Sequence, residues 1–351
     1  MDEQETVKVR AKRIKSQSRL IATVIAIVAL AMISIWIVWL GFRSDPTVME
    51  AGENSGSREA EAASTPLAFE GASFESSGVV YVPGANGVLF VDDGKSSGCF
   101  WMKLDDSGRQ AEPVRFVHID AQVEDPESIT FDGTYFYILG SQSRPDAGAR
   151  NALIRFRFDP ASATTSDIEK IEDLRSFLLK SLPELREAGE QAGTEGGLNI
   201  EGIAWDPENR MFLLGLRSPL VERQSPQALL IAIRLKKPDG PFSIENLELT
   251  APQPIRLRLG TLGVRDIHYD TRLKSFLIIA GAPKERDKGH YSLWRWDGSS
   301  EEQGLREIAV LDARLKPEGL TRVETAAGDY LLLVYDSSSY SRLDYSSLPE
   351  K

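Results

Sequence analysis

A single cysteine, Cys99, stands in 351 residues, so no internal disulfide holds this fold together, whatever compartment it occupies. The apolar string GCFWMKL around it reads as a buried strand, which makes Cys99 a packing residue rather than a reactive thiol. Histidine is almost as scarce. His118, His268 and His290 lie far apart with no H-E-x-x-H or comparable spacing, which argues against zinc ligation. Basic residues are in the minority, 41 against 52 acids, for a formal net charge of −11. Phosphate binding rests on clustered Lys and Arg, so nucleic acid is excluded as a natural partner of this surface. Complete catalytic motifs are missing as well. Gly94-Lys95-Ser96-Ser97-Gly98 spells a nucleophile elbow, but a strand follows where the elbow needs a helix. The same stretch imitates the end of a P-loop without its earlier glycine.

Long apolar runs are absent with one exception. Residues 20–40, LIATVIAIVALAMISIWIVWL, carry no charge, and at a rise of about 1.5 Å per residue they match the ~30 Å hydrocarbon core of a bilayer. Trp36 and Trp39 suit the far interface. Lys8, Arg10, Lys12, Arg13, Lys15 and Arg19 precede the run, whereas only Arg43 follows it closely. The positive-inside rule therefore predicts a cytoplasmic segment over 1–19, a single crossing from Leu20 to Leu40 in the inner (plasma) membrane, and an extracytoplasmic, periplasmic remainder. A cleaved signal peptide is the alternative, but its apolar region runs only about 7 to 15 residues and ends at a small-residue cleavage site, which WLGFRSDP does not offer. Residues 43–66 are rich in Glu, Ser, Ala and Gly and poor in aromatics, the composition of a flexible tether.

From Ser77 onward a pattern repeats five times: a polar residue, a short apolar run, a turn and a second apolar run with a polar tip. The copies are SGVVYVPGANGVLFVDD, PESITFDGTYFYILGSQSR, IEGIAWDPENRMFLLGLRSP, VRDIHYDTRLKSFLIIAGAPK and PEGLTRVETAAGDYLLLVYDSS. Each copy is one supersecondary unit that cannot bury its apolar faces alone, and further strands such as ALLIAIRL with PIRLRLG and YSLWRW with LREIAVL extend copies to four strands. The pattern predicts an all-β fold, a β-propeller over 67–345 with five blades, or six if two copies are merged. The last copy lacks room for four strands, so a strand from near Leu67 is expected to complete it and close the ring. Between Glu127 and Glu201 a helical insertion is expected over 166–190. It has Ser166 and Glu169 spaced as a capping box, an apolar face of Ile168, Ile171, Leu174, Leu178, Leu182 and Leu185, and a break at Pro183.

In such a ring, the loops entering each innermost strand and leaving each second strand open on one face around the axis. Entering positions are Glu75 and Ser77, Glu127, Glu201, Asp266 and Glu318; leaving positions are Asp92 and Asp93, Ser141 and Arg144, Arg217, Lys284 and Asp336. Two chemistries fit this funnel. Clustered carboxylates recruit a hard cation, which makes Glu127, Glu201, Asp266 and Glu318 candidate Ca²⁺ ligands and a Ca²⁺-dependent ester or phosphoester hydrolase one reading. Binding of a ligand or partner protein through Glu127, Arg144, Glu201, Arg217, Arg265, Asp266, Glu318 and Asp336 is the other. Alternatively the acids staple neighbouring blades, with Arg217 paired to Glu201. The insertion reaches the same face just before Glu201, where it serves as a lid or packs against the side of the ring.

The blocks VEDPESITFDGTYFYILGSQSR, NALIRFRFD, GGLNIEGIAWD with LLGLRSPL, LGTLGVRDIHYD with FLIIAGAP, and KPEGL with LLLVYDSS resemble, in this order, the bacterial family known as domain of unknown function 3616. The resemblance runs from about Ser77 to Ser339 and implies a propeller; it brings no established reaction with it. Its matching positions are Glu201, Gly202, Leu216, Arg217, Arg265, Asp266, Glu318, Gly319, Tyr335 and Asp336. The chain departs from the family in its N-terminal apolar segment and at Pro126-Glu127-Ser128, where the family has an acid followed by glycine. A looser similarity in layout joins it to propeller esterases, phytases and lactonases that hold Ca²⁺ in the channel.

Overall fold

The computed structural model describes residues 64–349 apart from 146–147, 285–286, 288–289 and 300–301; the expected membrane span over 20–40 lies outside the described residues. Among the described residues no helix is long and apolar enough to cross a membrane.

The first strand, β1 (Leu67–Ala68), stands apart from the strands that follow it in sequence. Four-stranded antiparallel sheets then succeed one another along the chain. Blade one holds β2 (Ser76–Val82), β3 (Gly87–Asp92), β4 (Gly98–Lys103) and β5 (Arg115–His118), and blade two β6 (Pro126–Phe131), β7 (Phe136–Gly140), β8 (Leu153–Asp159) and β9 (Thr164–Ile171). Blade three holds β10 (Asn199–Asp206), β11 (Met211–Ser218) and β12 (Ala228–Leu235), with its outer position divided between β13 (Leu247–Leu249) and β14 (Ile255–Leu257). Blade four holds β15 (Gly263–Asp270), β16 (Ser275–Gly281), β17 (Tyr291–Trp296) and β18 (Leu305–Leu311). Blade five has only β19 (Pro317–Val323), β20 (Tyr330–Tyr335) and β21 (Ser339–Asp344) of its own, and β1 supplies its outermost strand, Leu67 opposite Tyr340 and Ala68 opposite Ser339. The molecule is a five-bladed propeller, closed by the N-terminal strand.

Period-2 alternation explains why the blades stack. In each second strand, consecutive residues face opposite neighbours. Leu89 packs with Ile138 between blades one and two, Leu139 with Leu214 between two and three, and Leu213 with Ile278 between three and four. Ile279 packs with Leu331 between four and five, and Leu332 with Phe90 across the closure. Side chains of this kind contribute about 1.5–3 kcal/mol each when fully buried, so the apolar runs seen in the sequence are the cement between blades. The acids that end the innermost strands have a turn role: Asp132, Asp206 and Asp270 each accept two backbone N–H bonds from the hairpin that follows.

The insertion starts later than its sequence suggests. Residues 166–171 belong to β9, where Arg155 of β8 faces Glu169 and donates to it at 2.7 Å, so the expected capping box is a cross-strand polar edge. Helix α1 (Leu174–Ser181) follows, Pro183 opens a 3-10 turn at Pro183–Leu185, and a short α2 (Arg186–Gly189) completes it. Leu174, Leu178, Leu182 and Leu185 fill the core between blades two and three. Arg175, buried among them, donates to the carbonyls of Gln142 and Gly189 without an ion pair among the described residues, and fastens the insertion to the loop leaving β7.

Candidate functional site

The site is built from β-bulges. In every innermost strand the register slips near its start: at Glu127, Glu201, Arg265 and Glu318, each between two paired neighbours, and between Ser76 and Val79 in β2, where Ser77 and Gly78 lie; β10 slips a second time, between Asn199 and Ile200, opposite Arg217 of β11. A bulge re-aims the extra side chain out of the sheet. Here all five of Ser77, Glu127, Glu201, Arg265 and Glu318 line one cavity of about 830 Å³ at the propeller axis. Two residues earlier stand Glu75, Asp125, Asn199 and Lys316, which line it too, and their equivalent in blade four is Gly263. One residue later comes a layer of Gly78, Ser128, Gly202, Asp266 and Gly319 that fills the axis.

That lower layer is tightly packed. A Cβ on Gly78 would sit 2.5 Å from Ser128 Cα, and one on Gly319 would sit 2.4 Å from the Ser77 carbonyl oxygen. Asp266 reaches from blade four to blades two and five, accepting from Ser128 Oγ at 3.0 Å and from the Leu320 N–H at 2.8 Å. Ser128 Oγ in turn accepts from the Ile203 N–H at 3.2 Å. Asp266 therefore ties the floor and does not line the cavity, and the blade-four residue that does is its neighbour Arg265. Burial pushes the Asp266 carboxyl up, against the hydrogen bonds from Leu320 and Ser128.

Arg265 organises the ring. Its Nε donates to Glu318 Oε2 at 2.8 Å, a second guanidinium nitrogen meets Glu318 Oε1, and Nη1 lies 2.9 Å from Glu201 Oε2. Glu201 Oε1 also receives Arg217 Nη1 at 2.8 Å and Asn199 Nδ2 at 3.0 Å, while Arg217 Nε holds the Ala282 carbonyl at 3.1 Å. Arg217 and Glu201 pair as expected, but both belong to blade three; the contact by which Arg217 reaches blade four is the one to the Ala282 carbonyl. Burial opposes the Arg265 charge, and Glu201 and Glu318 overcome it. Around this core Arg150 pairs with Asp125 and Lys316 with Asp336.

Other lining groups are left open. Glu127 makes no side-chain hydrogen bond or ion pair among the described residues; burial first, then Glu201 and Asp125, hold its carboxyl well above the usual carboxylate range. Asp93 is pushed up to about 7 by burial and by the adjacent Glu75 carboxylate, with which it shares a hydrogen bond. Arg144 and Lys284 have no side-chain partner among the described residues. The insertion ends in the cavity wall, where Ala192, Gly193 and Thr194 line it; α1 itself packs between blades.

Of the residues singled out in the sequence, Glu127, Arg144, Glu201, Arg217, Arg265, Glu318 and Asp336 meet in this cavity, together with Glu75, Ser77, Asp93 and Lys284. Asp92 and Ser141 do not: Asp92 caps the backbone of Glu75 and Gly94, and Ser141 bonds Ser143. Sequence reading missed Asp125, Asn199 and Lys316, although all three stand two residues before a bulge. It also missed Tyr291, which comes from a third strand. The four acids expected to hold Ca²⁺ do not fit that ion as arranged, because Arg265 occupies Glu201 and Glu318 and the carboxylate of Asp266 is turned into the floor. Among the described residues no group of three or more acids, histidines or cysteines is placed as metal ligands. His268 lies away from the cavity; its Nε2 accepts from the Arg322 N–H at 3.2 Å, and burial lowers its pKa to about 4.

Solved structures are similar to this chain only at great distance. A glucose dehydrogenase is similar at 13% identity over 80% of this chain and 99% of that one, with a TM-score of 0.42. The apo form of the soluble aldose sugar dehydrogenase (Asd) from Escherichia coli gives 12% identity over 80% and 98%, with a TM-score of 0.43. A chain of the mitotic checkpoint complex gives 11% identity over 86% and 98%, with a TM-score of 0.41. Likenesses this remote carry no functional argument. No curated protein matches the chain. Residues 159–348, more than half of the sequence and covering blades three and four with the three C-terminal strands of blade five, match the family described as protein of unknown function DUF3616, and the chain belongs to that family.

Proposed function

We propose that this protein is a propeller tethered to the membrane through residues 20–40, with its axial cavity outside the cytoplasm binding a small, fully polar molecule. The observation that carries the reading is the ring of five bulged residues, Ser77, Glu127, Glu201, Arg265 and Glu318, turned into one cavity of about 830 Å³ above a closed floor. Blade stapling needs Arg265 and its two acids but gives no reason for Glu127, Lys284 and Arg144 to line the same space without side-chain partners among the described residues. The volume falls in the range of small-molecule sites, about 300–1,000 Å³. Its walls are charged side chains with hydroxyls, three alanines and Gly193 between them, and Tyr291 supplies the aromatic ring. An apolar ligand would strip water from these charges without replacing it, a cost of several kcal/mol per ion.

The test is a thermal-shift screen of the full-length protein against sugars, sugar acids, sugar phosphates, amino acids and small dicarboxylates. One chemical class should raise the melting temperature; a compound at 100 times its Kd stabilises the native state by about 2.7 kcal/mol. Failure of every class at millimolar concentration would remove the reading. The tether is tested separately: alkaline extraction of membranes should leave the full chain in the pellet and release a version lacking residues 1–42.

A further inference from the structure

The insertion loop gathers cations at the cavity rim. Gly196 has φ +93°, and a Cβ there would come within 2.8 Å of Lys284 Cε and 3.3 Å of Nζ, so the missing side chain is what lets Lys284 lie across this loop. On its other side Gly193 packs on Ser143, next to Arg144; a Cβ on Gly193 would sit 2.9 Å from Ser143 Cβ. Thr194, between them in sequence, lines the cavity along with Lys284 and Arg144. Two cations without side-chain partners among the described residues thus flank a hydroxyl on a loop that Arg175 anchors to blade two. Elsewhere in the wall the open groups are acceptors. Glu127 contributes its carboxyl oxygens, while Glu75 shares its carboxylate with Asp93.

We infer that the occupant of this cavity is a hydroxyl-rich organic anion, a sugar carrying a carboxylate or a phosphate; this rests on the cavity being a ligand site, as proposed above. The anionic group lies at the rim with Arg144, Thr194 and Lys284. The hydroxyls, each able to donate once and accept twice, meet the interleaved donors and acceptors of the wall, Glu127 foremost. Arg265 and Arg217 are matched by Glu201 and Glu318, Arg150 by Asp125, and Lys316 by Asp336, whereas Glu75, Asp93, Glu127 and Asp287 line the wall with no cation paired to them among the described residues, so it is the position of the two rim cations, not the net charge of the cavity, that fixes where an anionic group sits.

Isothermal titration of the full-length protein with D-glucuronate, D-glucose 6-phosphate and D-glucose tests this. At least one of the two anions should bind at least about tenfold more tightly than glucose, glucuronate marking a carboxylate ligand and glucose 6-phosphate a phosphate ligand. Lys284→Ala should abolish that preference while its melting temperature stays that of the wild type. Gly196→Ala should weaken anion binding too, by displacing Lys284 without removing a charge. Glucose binding as tightly as both anions, or Lys284→Ala leaving the ratio unchanged, would overturn the inference. So would a neutral or cationic compound from the wider screen binding where neither anion does, and that result would leave the cavity itself standing as a site. Silence across the wider screen would remove both.

Discussion

Arg265 grips Glu318 across the boundary between blades four and five, Nε to Oε2 at 2.8 Å, with the Arg265 side chain 9% exposed and Glu318 10%. Breaking a buried pair by deleting one partner costs about 3–5 kcal/mol because the other charge is left buried and alone. Arg265→Ala should lower the unfolding free energy by that amount in urea titrations. Arg265→Lys should recover only part of it, since an ammonium cannot match the forked contact to both carboxylate oxygens.

Asp266 gives a contrasting prediction. Its carboxylate satisfies Ser128 Oγ and the Leu320 N–H in the floor. Asp266→Ala leaves a buried backbone donor unpaired, at about 1–3 kcal/mol. Asp266→Asn keeps one acceptor oxygen and should lose less, and the urea midpoints of the two variants should differ in that order.

Gly78→Ala tests how closely the innermost strands approach. The added methyl would sit 2.5 Å from Ser128 Cα, a backbone atom with nowhere to move. Overpacking of this kind costs about 1–3 kcal/mol, so the melting temperature should fall although alanine suits a strand better than glycine does.

The cavity acids make stability depend on pH. Glu127 is held above its ordinary value, and Asp93 is pushed up to about 7, so the native state binds more protons than the unfolded chain from the ordinary carboxylate range up to about neutrality. Their contribution is complete below the unfolded pKa values and is lost as pH rises through the folded ones. His268 works the other way: with its native pKa lowered to about 4 from 6.5, its contribution is present above 6.5 and is lost as pH falls toward 4. The two effects oppose each other below about 6.5 and only the acids act above it. Melting temperatures should therefore decline from pH 6.5 to 8, and Glu127→Gln should flatten that decline.

Much of the architecture was legible because alternation and turn chemistry repeat in each copy. The five copies became five blades, and the strand near Leu67 closed the ring through its pairing with β21. The site was legible to within one residue. Aligning acid with acid placed Asp266 beside Glu127, Glu201 and Glu318, whereas the bulges align Arg265 with them. One position changes the side chain's direction entirely, and hydropathy does not record a bulge. Residues 166–171 misled for a related reason: Ile168 and Ile171 stand three apart, a helical spacing, in an outer strand whose pairing with β8 shifts register between Arg155 and Arg157. Tyr291 had no local signal, because its place in the cavity depends on how far the third strand of blade four extends.

The central claim is that the bulge ring is a ligand site. Its most direct test is to titrate the strongest stabilising compound of the screen into the full-length protein, its Glu127→Gln variant and a Glu208→Gln control. Glu208 lies beyond the other end of β10 from Glu201, where it accepts from Tyr269 Oη at 2.7 Å. Glu127→Gln should weaken binding by at least about tenfold, a change of 1.4 kcal/mol, while Glu208→Gln should bind as the wild type does. Equal affinity in all three proteins would place the compound elsewhere and contradict the account.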